Sequence, residues 1–296
     1  MQRCAGAFFV MYPVDMLMAQ QHRMQMMNHQ SVIETITTSL RDEPEISGLF
    51  LGGSYGNGLA DAYSDIDFIL VSDTGATDEI AQLWRKAIAQ TGEIVLWWDR
   101  TTVPVLINAI TADWTRTDVL ILKPEQLGGY AQNTLKPLFD HAGLFDTLKE
   151  SVPPVAPNPK RLRYQYEEFI RILGLLHLAA GREEYINGVL GVFHLRNMLV
   201  ELLITQTNAP HRGGMLHLNR LLSASQKALL TGLPAPLVSR AGMIEAHLAY
   251  AAAYLPRARE QAKTSGVEWP ERFETVTWDR LEKTLGIKRP YDPENA

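Results

Sequence analysis

The stretch GGSYGNGLADAYSDIDFILVSD, residues 52–73, places a glycine–glycine–serine turn ten residues ahead of two aspartates at the head of an apolar strand. Side chains alternate along a strand, so Asp65 and Asp67 project to one face while Ile66 and Phe68 point to the other. Two carboxylates on one face repel each other and are costly to bury unless a positive charge compensates them. The spacing therefore predicts a cation site at the start of this strand.

The glycine-rich turn in front of the two aspartates is suited to binding phosphate. Glycine allows close approach and unusual dihedrals, so the turn Gly52-Gly53-Ser54 can bring backbone N–H groups against a phosphate chain. Hard divalent cations such as Mg²⁺ take oxygen ligands and commonly bind one or two carboxylates together with substrate phosphates. A phosphate-binding turn beside a pair of metal-binding carboxylates indicates phosphoryl or nucleotidyl transfer.

The string GSYGNGLADAYSDID resembles the signature of the DNA polymerase β-like nucleotidyltransferase superfamily, in which Gly-Ser is followed after ten residues by Asp-x-Asp and an apolar strand. The resemblance implies that Asp65 and Asp67 hold two Mg²⁺ ions. It also implies that Gly53 and Ser54 bind the β- and γ-phosphates of ATP, the nucleotide donor. By motif, the resemblance covers residues 51–123.

In that superfamily a third carboxylate stands on a later strand. Asp118, in the strand-like run TDVLILKP, takes this place by resemblance, completes the metal site and helps to deprotonate the acceptor hydroxyl. The alternatives are that Asp118 pairs with Arg116 on the same strand face, or that Asp113, in the adjacent hairpin turn, is the third acid. Ser64 either contacts phosphate or makes a local backbone hydrogen bond.

A proline-rich segment, ESVPPVAPNPK at residues 150–160, divides the chain. Proline fixes φ and removes a backbone donor, so this segment is predicted to be a stiff linker. Strand-like runs precede it, whereas the long segments after it repeat apolar residues every three and four positions and predict helices. We predict an α+β fold: a nucleotidyltransferase domain at 29–149, with a mixed β-sheet flanked by helices, and a helical substrate-binding bundle at 161–296.

The methionine-rich first 28 residues are predicted to be a poorly ordered leader. Ser31 and Glu34 have the spacing of a capping box, which predicts that the first helix begins there and runs to about Leu40.

Composition limits the partners. The net charge of −5 offers no basic block for nucleic acid, so nucleic-acid partners are not expected. The single cysteine, Cys4, excludes an intramolecular disulfide and a cysteine zinc site and fits a cytoplasmic protein. No run of 18 uninterrupted apolar residues occurs, so no membrane span is predicted. The oligomeric state stays open, a homo-oligomer included.

The layout of catalytic domain, linker and helical bundle resembles antibiotic nucleotidyltransferases that act on aminoglycosides or lincosamides. In those enzymes the acceptor lies between the domains. His194, Asn197 and Glu201 share one helix face, which either borders such a cleft or is solvated.

Three charged residues of the helical half have two interpretations each. Arg196 either contacts phosphate or is a surface cation. Glu167 and Glu168 either bind an ammonium-bearing acceptor or favour the positive end of their helix.

These features predict an enzyme that moves AMP from ATP to a hydroxyl of a small molecule and releases pyrophosphate. One alternative is a protein-adenylylating enzyme of the toxin–antitoxin type, whose members resemble only the catalytic domain and are usually shorter. A second alternative is a non-catalytic nucleotide-binding protein. The presence of all three candidate carboxylates disfavours the second.

Overall fold

The computed structural model describes residues 14–100, 104–151, 158–207 and 217–292. The chain divides into two compact units, an N-terminal unit, Met1–Pro153, and a C-terminal unit, Pro154–Ala296. The division falls inside the predicted linker, of which residues 152–157 lie outside the described part of the chain. The domain boundaries drawn from the sequence stay predictions.

The N-terminal unit is a mixed α/β structure. Its helices and strands, in chain order, are α1 (Val14–Leu40), β1 (Gly48–Leu51), α2 (Gly53–Gly56), β2 (Ile66–Val71), α3 (Asp78–Ala89), β3 (Ile94–Arg100), β4 (Val105–Thr111), β5 (Arg116–Leu122) and β6 (Lys136–Asp140). The six strands form one sheet in the order β3-β4-β5-β2-β1-β6. Only β2 and β5 pair in parallel, and the other neighbouring strands described here are antiparallel. The predicted mixed sheet is confirmed.

Strand β2 shows how the sheet positions polar groups. Ile66, Phe68 and Leu70 point to one face and join the core that includes residues of α1 and α3. Ile69 points to the other face, into a smaller apolar cluster. Because side chains alternate, Asp67 lies on the face of Ile69, beyond the edge of this second cluster. The sequence alternation thus places a carboxylate at the border of an apolar layer.

Helix α1 starts earlier than the capping signal indicates. It begins at Val14, so the predicted start at Ser31 is wrong. No glycine or proline interrupts the preceding residues, so their sequence contains no helix-breaking signal. His29 is buried, with its Nδ1 atom 2.8 Å from the hydroxyl oxygen of Tyr55. Residues 14–28 of the predicted leader are therefore helical, whereas residues 1–13 lie outside the described part.

Every regular element among the described residues of the C-terminal unit is a helix, and the predicted helical bundle is confirmed. The helices are α4 (Pro159–Gly174), α5 (Leu176–Gly181), α6 (Tyr185–Thr205), α7 (Leu218–Leu221), α8 (Ala224–Gly232), α9 (Arg240–Ser265) and α10 (Glu271–Leu285). Asn158 caps α4 by accepting hydrogen bonds from the backbone N–H groups of Lys160 and Arg161. In the core, the rings of Phe169 and Tyr254 stack with their centroids 3.8 Å apart.

Helix α6 is long and apolar enough to cross a membrane by length and composition alone. In the structure, Leu195, Leu199 and Leu203 on this helix are buried in the core of the C-terminal unit. Packing inside the bundle therefore accounts for part of its apolar character, whereas Ile186, Leu190 and Phe193 are exposed.

Candidate active site

Three carboxylates converge at the N-terminal ends of the neighbouring strands β2 and β5. The parallel strands β2 and β5 place Asp67 directly opposite Asp118, and Asp65 immediately precedes β2. One oxygen from each of the three carboxylates lies within 4.8 Å of the others. The parallel pairing, which the sequence does not show directly, brings residues 51 positions apart in the chain into one cluster.

The negative charge of the three carboxylates is only partly compensated. Burial, together with the negative charges of Asp65 and Asp118, raises the pKa of Asp67 to about 6, and the Arg116 guanidinium opposes this rise. Burial also raises the pKa of Asp118, while a hydrogen bond from the side chain of Asn108 opposes it. A divalent cation among the three groups would favour their ionised forms, so the donor set fits a hard metal ion such as Mg²⁺.

Arg116 provides only partial neutralisation. Its Nη1 atom lies 3.7 Å from Oδ2 of Asp65, and its Nη2 atom donates a hydrogen bond to the backbone carbonyl of Tyr63. The alternative drawn from the sequence, a pair between Arg116 and Asp118, is not the ion pair that the structure shows. The charge of Arg100 also lowers the pKa of Asp118, yet the pKa values of Asp67 and Asp118 both stay raised, which leaves a requirement for further positive charge.

The glycine–serine turn lies against this cluster. Gly53 has a φ of +49°, and a Cβ atom at this position would lie 1.8 Å from Oδ2 of Asp67. The hydroxyl oxygen of Ser54 is buried and has no hydrogen-bond partner among the described residues. A buried hydroxyl without a partner is unfavourable unless a ligand satisfies it. The turn therefore fits a phosphate placed beside the carboxylates.

Asp113, the alternative third acid, has a structural role in the hairpin between β4 and β5. Burial raises its pKa, but hydrogen bonds from Thr111, Asn28 and Thr115 outweigh burial and lower the pKa to about 2. The distance from Nδ2 of Asn28 to the nearer carboxylate oxygen is 2.9 Å. Asp113 is absent from the cluster of three carboxylates that the described residues form.

Ser64 makes local hydrogen bonds. Its hydroxyl oxygen accepts from the backbone N–H of Asp61 at 3.0 Å, and the hydroxyl lies 3.2 Å from the Asp61 carboxylate. These contacts agree with the local interpretation of Ser64, and its contact with phosphate stays a prediction.

Sequence reasoning missed two residues at the site, Asn108 and Tyr130. Asn108 pairs with Asp118 across β4 and β5 and hydrogen-bonds its carboxylate. Burial and the charge of Asp67 raise the pKa of Tyr130, which therefore lies within electrostatic range of the cluster. An asparagine inside an otherwise apolar strand was a usable signal, because asparagine is depleted in strands. Tyr130 follows a short 3₁₀ turn and carried no such signal.

The acidic candidates of the C-terminal unit have partners there. Glu167 pairs with Arg163 at 2.6 Å, and Glu168 pairs with Arg171 at 2.6 Å. Both spacings, four and three residues along a helix, could have been recognised in the sequence. Glu201 accepts a hydrogen bond from the side-chain amide of Gln165 at 2.6 Å. The roles of these acids in binding an acceptor stay predictions.

The remaining candidates of this unit lie on α6. Arg196 donates a hydrogen bond to the hydroxyl of Tyr250 at 2.7 Å, so it is engaged inside the bundle. Asn197 is half-buried and His194 is exposed. His194 lines a cavity together with Glu168, so two of the predicted substrate residues share one site within this unit.

Comparison with known proteins agrees with this site. Residues 33–97 match the family model of the nucleotidyltransferase domain. This segment contains the glycine–serine turn together with Asp65 and Asp67, whereas Asp118 joins the site through the sheet pairing. The protein therefore carries a nucleotidyltransferase domain and is a transferase by class.

Two solved structures resemble the chain at low identity. An aminoglycoside 6-adenyltransferase from Bacillus subtilis has 12% identity and a TM-score of 0.40, and the match covers 84% of this chain and 95% of that chain. A nucleotidyltransferase-like protein from Exiguobacterium sibiricum 255-15 has 11% identity and a TM-score of 0.33, with 87% and 88% covered. No curated protein matches the chain.

Proposed function

We propose that the protein is a Mg²⁺-dependent adenylyltransferase that moves AMP from ATP to a hydroxyl of a small molecule and releases pyrophosphate. The observation that carries the proposal is the convergence of Asp65, Asp67 and Asp118, with oxygens within 4.8 Å of one another. The turn at Gly53, which lies against Asp67, provides the adjoining phosphate site.

Each residue of the site has a role in this reaction. Asp65, Asp67 and Asp118 would hold Mg²⁺, which when bound neutralises the triphosphate and promotes ionisation of the acceptor hydroxyl. The backbone N–H at Gly53 and the hydroxyl of Ser54 bind the β- and γ-phosphates. The acceptor oxygen forms a bond to the α-phosphorus, the bond from that phosphorus to the bridging oxygen breaks, and pyrophosphate leaves.

The proton of the acceptor hydroxyl goes to Asp118 in this proposal. Burial raises the pKa of Asp118, which makes the carboxylate a better proton acceptor than an exposed aspartate. Asn108 holds that carboxylate through its side-chain hydrogen bond, and its own Oδ1 atom is buried without a partner among the described residues. Asn108 is thus a positioning residue for Asp118.

The acceptor is proposed to be a small molecule, with aminoglycosides and lincosamides as the first candidates. The combination of a nucleotidyltransferase domain with a helical unit resembles enzymes that modify such antibiotics, and modification of this kind would confer antibiotic resistance. The acidic surface, with a net charge of −5, disfavours nucleic acid as the acceptor. The single cysteine supports a cytoplasmic location.

The test is pyrophosphate release by the full-length protein with ATP, Mg²⁺ and a panel of aminoglycosides and lincosamides. We expect acceptor-dependent release that disappears in Asp65→Asn and Asp67→Asn. Asp113→Asn is the matched control, because its carboxylate lies outside the cluster, and it should retain turnover once folding is verified. No release with any acceptor and any nucleoside triphosphate would contradict the proposal.

Two further measurements separate the alternatives. Labelled protein bands in a cell lysate incubated with the enzyme and radiolabelled ATP would indicate a protein acceptor. Mg²⁺-dependent ATP binding in calorimetry, lost in Asp67→Asn but unaccompanied by turnover, would indicate a non-catalytic nucleotide-binding protein.

A further inference from the structure

The C-terminal unit contains a cavity of about 400 Å³ that lies among α4, α5, α6 and α9. Its wall is largely apolar, and the apolar side chains that line it include Ile172, Leu176, Ala179 and Leu190. Small-molecule sites are typically concave and mostly apolar, with a few placed polar groups that fix the orientation of the ligand. The volume lies within the range of such sites.

One polar group in this cavity is nearly inaccessible. His247 on α9 is 2% exposed. Its Nδ1 atom lies 2.8 Å from the backbone carbonyl oxygen of Met243, which can only accept a hydrogen bond. Nδ1 therefore carries the proton, and burial lowers the pKa of His247, so the ring stays neutral. In this tautomer Nε2 is an acceptor with a free lone pair.

The Nε2 atom of His247 has no hydrogen-bond partner within the described ranges of the chain. A ligand that donates to this acceptor gains a hydrogen bond there. The histidine lines the cavity, so such a donor can reach it from the cavity.

A glycine on α6 keeps the space near Nε2 open. Gly191 lines the same cavity, and a Cβ atom at this position would lie 3.3 Å from Nε2 of His247. Glycine inside a helix is less favourable than alanine. At position 191 it lowers the stability of the helix but leaves the His247 imidazole accessible from the cavity.

The charged groups of the cavity neutralise each other. Arg171 donates two hydrogen bonds to the carboxylate of Glu168, at 2.6 and 2.7 Å, in a bidentate arrangement. With this pair satisfied and His247 neutral, neither the Glu168–Arg171 pair nor His247 offers an unpaired charge to an ionic ligand, and the remaining titratable group of the wall, His194, is exposed.

We propose that this cavity binds a compact, largely apolar, uncharged molecule that donates a hydrogen bond from a hydroxyl or N–H group to Nε2 of His247. The apolar body of the ligand packs against the side chains of α4 and α5, and the donor selects among molecules of similar shape. The inference rests on the C-terminal unit alone and does not depend on the proposed nucleotidyl transfer.

The test uses matched pairs of probes that differ in the donor: indole with 1-methylindole, and 4-ethylphenol with 4-ethylanisole. The readout is the ¹⁵N shift of His247 Nε2 in the full-length protein, assigned through its loss in His247→Phe. We expect indole or 4-ethylphenol to move the Nε2 signal saturably, because a hydrogen bond alters the lone-pair environment. The methylated partner of the same pair should bind at least tenfold more weakly.

Two variants and a control complete the design. Gly191→Ala should weaken binding of the donor probe at least tenfold while leaving the circular dichroism spectrum unchanged. His177→Phe is the matched control, because His177 also bonds a backbone carbonyl, that of Gly174, but is not part of the cavity wall. Equal binding of both members of each pair, no binding of any probe, or unchanged binding in Gly191→Ala would overturn the proposal.

Discussion

A Cβ atom on Gly53 would lie 1.8 Å from Oδ2 of Asp67. The backbone of the glycine–serine turn thus packs directly against a carboxylate of the acidic cluster, with φ at +49°. This contact joins the proposed phosphate site to the proposed metal site, since neither can shift without displacing the other.

Gly53→Ala should therefore remove activity. The methyl group would push the Asp67 carboxylate out of the cluster, and displacement of a catalytic group by about 1 Å can lower turnover by about 100-fold. The measurement is kcat/KM for pyrophosphate release with the acceptor identified in the panel.

Gly58→Ala is the control for backbone strain. Gly58 has a φ of +72°, but a Cβ atom there meets nothing within 4 Å. The two variants share the left-handed strain, and only Gly53→Ala collides with the cluster. Equal losses in both would contradict the specific role of the contact between Gly53 and Asp67.

A second prediction is that Asp67→Asn stabilises the metal-free protein while abolishing turnover. The pKa of Asp67 is raised from 3.8 to about 6 by burial and by its acidic neighbours. The folded state then binds the Asp67 proton more tightly than the unfolded state. The contribution of Asp67 to the free energy of unfolding therefore falls as the pH rises from about 4 to 6. At pH 7.5 the asparagine variant should gain about 1 to 2 kcal/mol in the free energy of unfolding, allowing for partial solvent screening.

Chemical denaturation of metal-free protein at pH 4.5 and pH 7.5 checks this. The difference between wild type and Asp67→Asn should be larger at pH 7.5. Added Mg²⁺ should stabilise the wild type and have a smaller effect on the variant, because binding to the folded state alone raises apparent stability. A variant that is less stable than the wild type at both pH values would show that the charge repulsion at Asp67 is not significant.

The acidic cluster could be predicted from the sequence because its signals are local. Alternation along β2 places Asp65 and Asp67 on one face, and each carboxylate precedes or occupies an apolar strand. In the parallel pairing of β2 with β5, Asp67 lies directly opposite Asp118. The resemblance to a known motif supplied what local alternation could not, namely which later carboxylate completes the site.

The features that depend on long-range pairing of strands or packing of helices could not be predicted from local sequence signals. Asn108 reaches Asp118 only because β4 and β5 pair in one particular register. The start of α1 was misassigned because a capping signal contributes only about 1 kcal/mol, and the residues before Ser31 contain no glycine or proline that would end the helix. His247 was not singled out, because the free Nε2 atom is recognisable only from the surrounding helices.

A third prediction concerns a buried carboxylate in the C-terminal unit. Glu274 is fully buried and accepts hydrogen bonds from Arg259 at 2.5 Å, from the Trp269 indole at 2.8 Å and from the hydroxyl of Tyr291. Glu274→Gln replaces an acceptor with a donor toward these groups, so the unfolding free energy of this unit should fall by about 3 kcal/mol. Hydrogen exchange of the α9 and α10 amides measures this unit separately.

Glu271→Gln is the matched control for Glu274→Gln, because Glu271 pairs with the same Arg259 at 2.8 Å but is 59% exposed. A solvent-exposed ion pair contributes less than about 1 kcal/mol, so protection should change little in this variant. Similar losses of protection in both variants would show that burial of Glu274 is not the cause.

The last prediction assigns a pH-dependent role to Asn108. Its side chain hydrogen-bonds the Asp118 carboxylate and opposes the rise in the pKa of Asp118 that burial causes. Asn108→Ala should therefore raise the pKa of Asp118 further and move the acidic limb of the kcat/KM profile to higher pH. We expect a loss of about tenfold at the acidic end of the profile that diminishes as the pH rises, because Asp118 then becomes ionised in both proteins. Asn28→Ala removes the same kind of amide from the carboxylate of Asp113, outside the cluster, and should leave the profile in place. A loss in Asn108→Ala that is the same at every pH would mean that Asn108 acts on the structure of the site rather than on the ionisation of Asp118.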